Sequence, residues 1–267
     1  ALNNNNEALY ESAYVTNYKN MQFIWFNQKF SKFSLSFLAL NNGYQYENLV
    51  ENKFQVAYLQ TIGTYGKWDT SKFYGDFGLY AQTGEAAVTN DKVDVGAYYA
   101  GFNLGYKFTN SFKAELGFEY LSGKDQNDTD TKVKSFTPLF GTNHGFNGVM
   151  DYFYVGNHKN SVGLQDVYTK FIYDKNKWQV TLSPHLFYSS ASVYNMTTLE
   201  EQDNYLGTEI DIAGTYKLDK NFIISGGVSK MFGSNTMEIL KGGNNNNCNN
   251  WAWVMVSFNP QLFTYKK

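Results

Sequence analysis

Apolar and polar residues alternate along most of this 267-residue chain. In residues 112–120 every second residue is apolar or aromatic, and charged residues or glycine stand between them. A period of two places successive side chains on opposite faces of a β-strand. The same alternation recurs in residues 33–39, 73–82, 98–108, 167–173, 178–188 and 206–212. The pattern therefore predicts an all-β protein.

Short polar turns alternate with longer polar loops between these stretches. The short turns lie near residues 27–32, 67–72, 109–111, 174–177 and 219–221. The longer loops lie near residues 41–52, 84–91, 123–161, 195–203 and 233–249. This arrangement is typical of a transmembrane, antiparallel, up-and-down β-barrel of the bacterial outer membrane. We expect about eleven strands, in residues 17–28, 31–40, 52–64, 71–83, 92–108, 112–122, 162–174, 178–193, 204–217, 221–232 and 249–260.

A soluble β-sandwich also shows alternation, and it is the main alternative to a membrane barrel. Aromatic residues make up 18% of the chain, with 22 Tyr and 22 Phe. Several apolar faces begin and end in an aromatic residue, as expected for side chains at the two water–lipid boundaries. The opposite faces mix charged residues with Gly and Ser, which favours a wet interior over a second packed sheet. No apolar run is long enough for a spanning helix.

The direction of the strands bears on how much of a barrel is present. The first and last predicted strands run the same way, whereas single-chain bacterial barrels contain an even number of strands. We expect the chain to be one domain, residues 1–267, forming the C-terminal part of a 16–18-stranded barrel. On this interpretation upstream strands are absent and residues 1–16 form a long outer loop. A closed small barrel is the alternative if the strand count is wrong by one.

Charged residues within the strands predict the lining of a lumen. A lysine that faces lipid at mid-depth costs about 2–4 kcal/mol, so charges inside strands should face inward. By the alternation, eight charged residues do so, six acidic and two basic. These predicted pore-lining residues are Asp76, Lys113, Glu115, Glu119, Asp166, Lys170, Glu209 and Asp211.

The longest loop carries a run rich in aromatic residues, Gly and Asn. It comprises residues 135–146, in which 141–144 read Gly-Thr-Asn-His between aromatic clusters, and residues 150–157. With residues 121–125 and 162–166, these segments resemble the corresponding part of the alginate export family of outer-membrane channels. The resemblance is strongest in residues 98–190 and weaker across the rest of 15–262.

The resemblance implies an 18-stranded monomeric barrel that passes an acidic polysaccharide outward through a basic, arginine-rich constriction. It also implies that about seven N-terminal strands are missing. All 22 basic residues of this chain are lysines, and lysine lacks the planar fork with which arginine binds carboxylates. A general porin for passive diffusion of hydrophilic solutes is an alternative on the same scaffold. Another is a non-conducting structural or interaction barrel, whose long outer loops bind a partner protein or a surface ligand.

The long loop is also a candidate for folding into the barrel and narrowing the pore. The candidate constriction residues are Phe136, Phe140, His144, Phe146 and Asp151. The alternative is an extracellular loop held by aromatic packing.

No enzymatic activity is expected, because nothing in their spacing aligns Ser135, His144 and Asp151 as a hydrolase triad. The three histidines are not at paired spacing, so no metal is expected, and no cofactor either. The net charge of −2 does not favour nucleic acid as a partner. The expected location is the outer membrane of a Gram-negative cell. The expected partners are the lipid bilayer with lipopolysaccharide, a hydrophilic solute or polysaccharide, and other envelope proteins.

Overall fold

Eleven antiparallel strands form one up-and-down sheet in the computed structural model, which describes residues 18–141, 147–261 and 263. Each strand pairs with the next one in sequence. The strands are β1 Asn20–Phe30, β2 Phe33–Asn48, β3 Lys53–Asp69, β4 Phe73–Val88, β5 Asp91–Lys107, β6 Phe112–Leu121, β7 Leu164–Lys175, β8 Trp178–Tyr188, β9 Tyr205–Lys217, β10 Phe222–Gly233 and β11 Asn249–Phe258. A helix, α1, spans Asn235–Lys241, and a single 3-10 turn spans Val155–Asn157. The all-β, antiparallel prediction and its strand count are confirmed. The β-sandwich alternative is wrong, since it requires two sheets.

The sheet is not closed within the described residues. There, β1 pairs only with β2, and β11 pairs only with β10. Because neighbouring strands are antiparallel throughout, β1 and β11 run in the same direction. Each of them therefore presents one edge of backbone N–H and C=O groups without a strand beside it.

The two faces of the sheet differ in chemistry. The outer face exposes large apolar side chains along most strands, among them Phe37, Leu79, Phe102, Leu116, Leu182, Ile212 and Val228. The opposite, inner face buries polar and charged side chains, among them Gln82, Glu119, Asp166, His185, Glu209 and Asp211. Exposure of the apolar face and burial of the charged one reverse the usual order of a water-soluble domain.

Aromatic residues form a row at each end of the outer face. Near the short turns, rings from neighbouring strands lie side by side, with centroids 4.5 Å apart for Trp178 and Tyr216 and 5.0 Å apart for Phe73 and Tyr106. Near the longer loops, Tyr98 stacks on Tyr120 at 5.5 Å. Aromatic residues therefore border the apolar face at both ends of the strands, as the sequence predicts.

Two of the predicted long loops, residues 41–52 and 84–91, are mostly strand. β2 continues to Asn48 and β4 to Val88, so only residues 49–52 and 89–90 form the connections. The polar side chains in the extension pair across strands: Asn41 donates to Gln22 Oε1 at 2.7 Å, and Gln60 donates to Asn41 Oδ1 at 2.6 Å. Asparagine is uncommon in strands, and such side-chain pairing offsets that preference.

Among the described residues, no helix is long and apolar enough to cross a membrane.

Candidate functional site on the inner face

Part of the long connection between β6 and β7 folds back against the inner face of the sheet. We call residues 133–155 the inner segment; residues 142–146 within it lie outside the described residues. It begins beside β5, where Val133 donates its N–H to the Asp94 carbonyl at 2.8 Å and accepts from Gly96 at 2.9 Å. The Gln82 amide then pairs with Thr137, donating to its carbonyl at 2.8 Å and accepting from its N–H at 3.1 Å. The segment is thus held to the sheet through its backbone.

A buried carboxylate fixes the second half of the inner segment. Glu209 Oε1 accepts the backbone N–H groups of Val149 at 2.7 Å and Met150 at 2.9 Å. Gly148, with φ +82°, lies so close that a Cβ atom there would come within 2.6 Å of the same oxygen. A side chain at this position would therefore displace the carboxylate. Two backbone hydrogen bonds, each worth about 0.5–1.5 kcal/mol, therefore join the segment to one side chain, so Glu209 is an anchor.

Asn147 joins two further carboxylates to the inner segment. Its Nδ2 donates to Glu119 Oε2 at 2.8 Å and lies 3.3 Å from Asp166 Oδ2. Asp166 is fully buried and also accepts from His185 Nδ1 at 3.0 Å. Glu119 accepts in addition from the Tyr99 hydroxyl at 3.2 Å. Asn147 therefore lies between carboxylates from neighbouring strands β6 and β7.

A cavity of about 980 Å³ lies between the inner face and the inner segment. The segment contributes apolar and small side chains such as Phe136, Pro138 and Leu139, together with Asn147. The strands contribute tyrosine rings, histidine and charged residues. The charged residues that line it are Asp76, Glu115, Glu119, Asp211 and Lys170. Four carboxylates against one lysine give the cavity wall an acidic character.

All eight predicted pore-lining residues lie on the inner face, and five of them line the cavity. Asp166 and Glu209 instead hold the inner segment, and Lys113 lies 5.9 Å from the Tyr74 ring centroid. Nearer the short turns, Asp76 accepts from Asn103 at 3.1 Å and Glu115 accepts from the Tyr74 hydroxyl at 2.9 Å. Whether these residues line a conducting pore stays a prediction.

The candidate constriction residues divide between different surroundings. Phe136 is buried, with its ring 5.6 Å from that of Tyr99 on the inner face. Phe140 is exposed and meets Tyr18 edge-on at 5.9 Å. Asp151 is partly buried and adopts φ +60° in the segment held by Glu209. His144 and Phe146, like the predicted outer loop 1–16, lie outside the described residues.

The sequence interpretation missed the uncharged side chains of the site. Tyr74, Tyr99 and Tyr168 lie on the inner face, and Tyr168 donates to Asn103, which in turn donates to Asp76. The alternation predicts the position of Tyr168, because it lies two residues from both Asp166 and Lys170 and so shares their face of the strand. Asn147 and Gly148 carried no comparable signal, since they lie in a loop without periodicity.

His158, just beyond the inner segment, is buried and donates from Nε2 to the Phe153 carbonyl at 3.1 Å. Burial lowers the pKa of His158 to about 4, and the nearby Lys241 charge acts in the same direction. When the segment opens, His158 is exposed to water and binds a proton with an ordinary pKa near 6.5. The packed segment therefore keeps its full stability above pH 6.5 and loses stability as the pH falls toward 4.

Lowering the pH from 7.5 to 4.5 is expected to reduce the free energy of opening of residues 152–158 by on the order of 3 kcal/mol. Hydrogen exchange of these amides, corrected for the intrinsic pH dependence of exchange, measures the change. The control is His158→Gln, which keeps a donor for the Phe153 carbonyl and cannot titrate. An equal loosening in this variant would show that another group is responsible.

No family model matches the chain. No curated protein matches it either, so the resemblance to the alginate export family stays a prediction. Solved structures similar to the chain include the following two. The NanC porin, in a rhombohedral crystal form, is 9% identical over 90% of this chain and 93% of its own, with a TM-score of 0.42. The copper transporter OprC is 13% identical over 82% of this chain and 37% of its own, with a TM-score of 0.42. These similarities are too weak to assign a function.

Proposed function

We propose that this protein spans the bacterial outer membrane and forms a channel for hydrophilic solutes with a preference for cations. The observation that carries the proposal is the contrast between its faces: apolar side chains are exposed outward while carboxylates and amides are turned inward. In water, such an extended exposed apolar face would favour aggregation. In a bilayer, it would contact lipid tails, and the polar face would line a wet interior.

The dimensions of the outer face support the bilayer as its environment. Tyr98, midway along β5, and Phe108, one residue past its end, both face outward and lie ten residues apart. At about 3.3 Å per residue they are about 33 Å apart along the strand. A tilt of about 40° reduces this to about 25 Å, the height of the apolar band in outer-membrane barrels.

The inner face supports a cation preference. Carboxylates outnumber lysines around the cavity, and rings of acidic side chains favour cations in channels. A polyanion such as alginate would meet repulsion at Asp76, Glu115 and Glu119. The described strands contain no arginine to offset it. We therefore favour a porin-like channel over polysaccharide export.

The open edges of the sheet support a larger barrel. Because β1 and β11 run the same way, antiparallel closure needs an odd number of additional strands between them. Five or seven would give the 16 or 18 strands expected from the sequence. We propose that the complete pore contains such strands.

Planar-bilayer recording tests the channel. We expect steady open levels and a K⁺ permeability above that of Cl⁻. Glu115→Gln, which keeps an acceptor for Tyr74, is expected to lower the K⁺/Cl⁻ permeability ratio by about a factor of two, because it removes one lumen charge. Glu200→Gln makes the same change in an exposed loop and should leave the ratio as it is. Anion preference in the parent protein would contradict the proposal.

The packing of the inner segment favours a second candidate, a non-conducting barrel whose outer loops bind a partner protein or a surface ligand. The segment is anchored at Gln82, Glu119 and Glu209 and covers part of the inner face. A barrel plugged in this way would show no steady open level in the same recordings.

A further inference from the structure

We propose that the cavity on the inner face binds the protonated amine of an organic cation at Asp211. This inference deepens the channel proposal and rests on it for the route by which a solute reaches the cavity. It goes beyond a general cation preference, because it assigns a binding site and a class of solute.

Asp211 is a buried carboxylate to which no N–H or O–H donor of the described residues is hydrogen-bonded. Its side chain is 9% exposed and lines the cavity, and neither carboxylate oxygen accepts a hydrogen bond among the described residues. Burying a carboxylate without a donor or a cation beside it is unfavourable. Glu209 lies two residues away on the same face, close enough to Asp211 for one shared proton to join the two carboxyl groups, and no donor of the described residues reaches its Oε2. Two such carboxylates require a cation or a proton beside them.

The groups around Asp211 do not donate a hydrogen bond to it. His185 uses its Nδ1 hydrogen for Asp166, which in the neutral ring makes Nε2 an acceptor. That Nε2 lies 3.9 Å from Asp211 Oδ2, beyond hydrogen-bond distance. Ser229, directly opposite Asp211 on β10, is buried with its hydroxyl unpartnered. An ammonium group supplies three N–H donors and a positive charge, which is what this arrangement requires.

The lysines of the described residues do not meet this requirement, and His185 Nε2 lies beyond hydrogen-bond distance of Asp211. No lysine there forms an ion pair with Asp211 or Glu209. Lys170, the basic residue of the cavity wall, stands opposite Glu115 in the sheet, and its Nζ lies 5.8 Å from the Tyr168 ring centroid.

The remaining wall favours an organic cation over a metal ion. No group of three His, Cys, Asp or Glu side chains in the described residues is placed to hold a metal. Aromatic rings line the same cavity, namely those of Tyr65, Tyr74, Tyr80, Tyr99, Tyr168 and Trp253. Aromatic faces attract ammonium groups and also contact the alkyl chains that carry them. A volume of about 980 Å³ is ample for a small organic solute.

Calorimetric titration of the full chain in detergent micelles with putrescine, a diamine, tests the site. We expect binding at pH 7.5, and none of 1,4-butanediol, which has the same length without charge. Asp211→Asn is expected to weaken putrescine binding about tenfold, since it removes a charge-assisted acceptor. Asp76→Asn removes the same charge at a carboxylate already held by Asn103 and should cost less than about threefold. Ser229→Ala, a smaller change, should weaken binding in the same direction as Asp211→Asn.

Each contrary result overturns the site. Absence of putrescine binding would show that a shared proton satisfies Glu209 and Asp211. Equal competition by K⁺ would show an inorganic cation site. Equal losses for Asp211→Asn and Asp76→Asn would show attraction by the cavity as a whole. Conductance of the same preparation separates this proposal from the previous one: binding without open levels contradicts the channel, and open levels without binding contradict the site.

Discussion

Replacing Leu182 with lysine is expected to destabilise the protein in a bilayer by about 2–4 kcal/mol, the cost of a lysine at the lipid-facing midplane of a barrel. Leu182 lies near the middle of β8 and is exposed on the outer face. Its partners in the sheet are Phe171 and Ile212, which are also exposed and apolar. Denaturant unfolding of the protein in phospholipid vesicles, followed by tryptophan fluorescence, measures the loss.

The neighbouring residue provides a matched control. Thr181 precedes Leu182 on the same strand but lines the inner cavity. Thr181→Lys places the same charge at the same depth in polar surroundings that include acidic side chains, so its cost should stay below about 1 kcal/mol. Equal costs at the two positions would mean that the outer face does not contact lipid, and the membrane assignment would fail.

The strands and their faces were predictable because a single physical rule governs them. Charges are expensive in lipid, so Glu115 and Glu119 had to share one face and Leu116 and Phe118 the other. The lengths of some strands were not predictable from composition. Asn41 and Asn42 read as loop, yet they extend β2, because amide side chains on neighbouring strands pair with Asn41. That pairing depends on which residues lie opposite, and a single strand does not specify its partner.

The inner segment shows where sequence reasoning stops. Its anchors join residues far apart in the chain: Thr137 to Gln82, 55 positions away, and Val149 to Glu209, 60 positions away. No local pattern encodes such contacts. The composition of the loop suggested that it folds inward, but it did not identify Asn147, which donates to Glu119, or Gly148, which leaves room for Glu209. Phe140, one of the candidate constriction residues of this loop, is exposed.

Removing the Glu209 anchor is expected to open the pore further. Glu209→Ala leaves the Val149 and Met150 N–H groups without their acceptor. Each backbone N–H left without an acceptor shifts the balance between the covered and uncovered inner face by about tenfold. Single-channel recordings should therefore show a larger conductance level that the parent protein visits rarely. Adding Asn147→Ala, which frees the segment from Glu119 and Asp166, should increase the time spent at that level.

A second glutamate separates this effect from a general loss of structure. Glu238 in α1 accepts the Asn245 N–H at 2.9 Å, outside the inner face, so Glu238→Ala also removes a carboxylate and orphans a backbone donor. Its conductance should match that of the parent protein. If both variants acquire the larger level, the inner segment is not what narrows the path. If neither does while hydrogen exchange shows the segment released in Glu209→Ala, solutes pass elsewhere. A silent parent protein that conducts only after Glu209→Ala would instead identify the inner segment as a plug, since the path exists beneath it and the native contacts keep it shut.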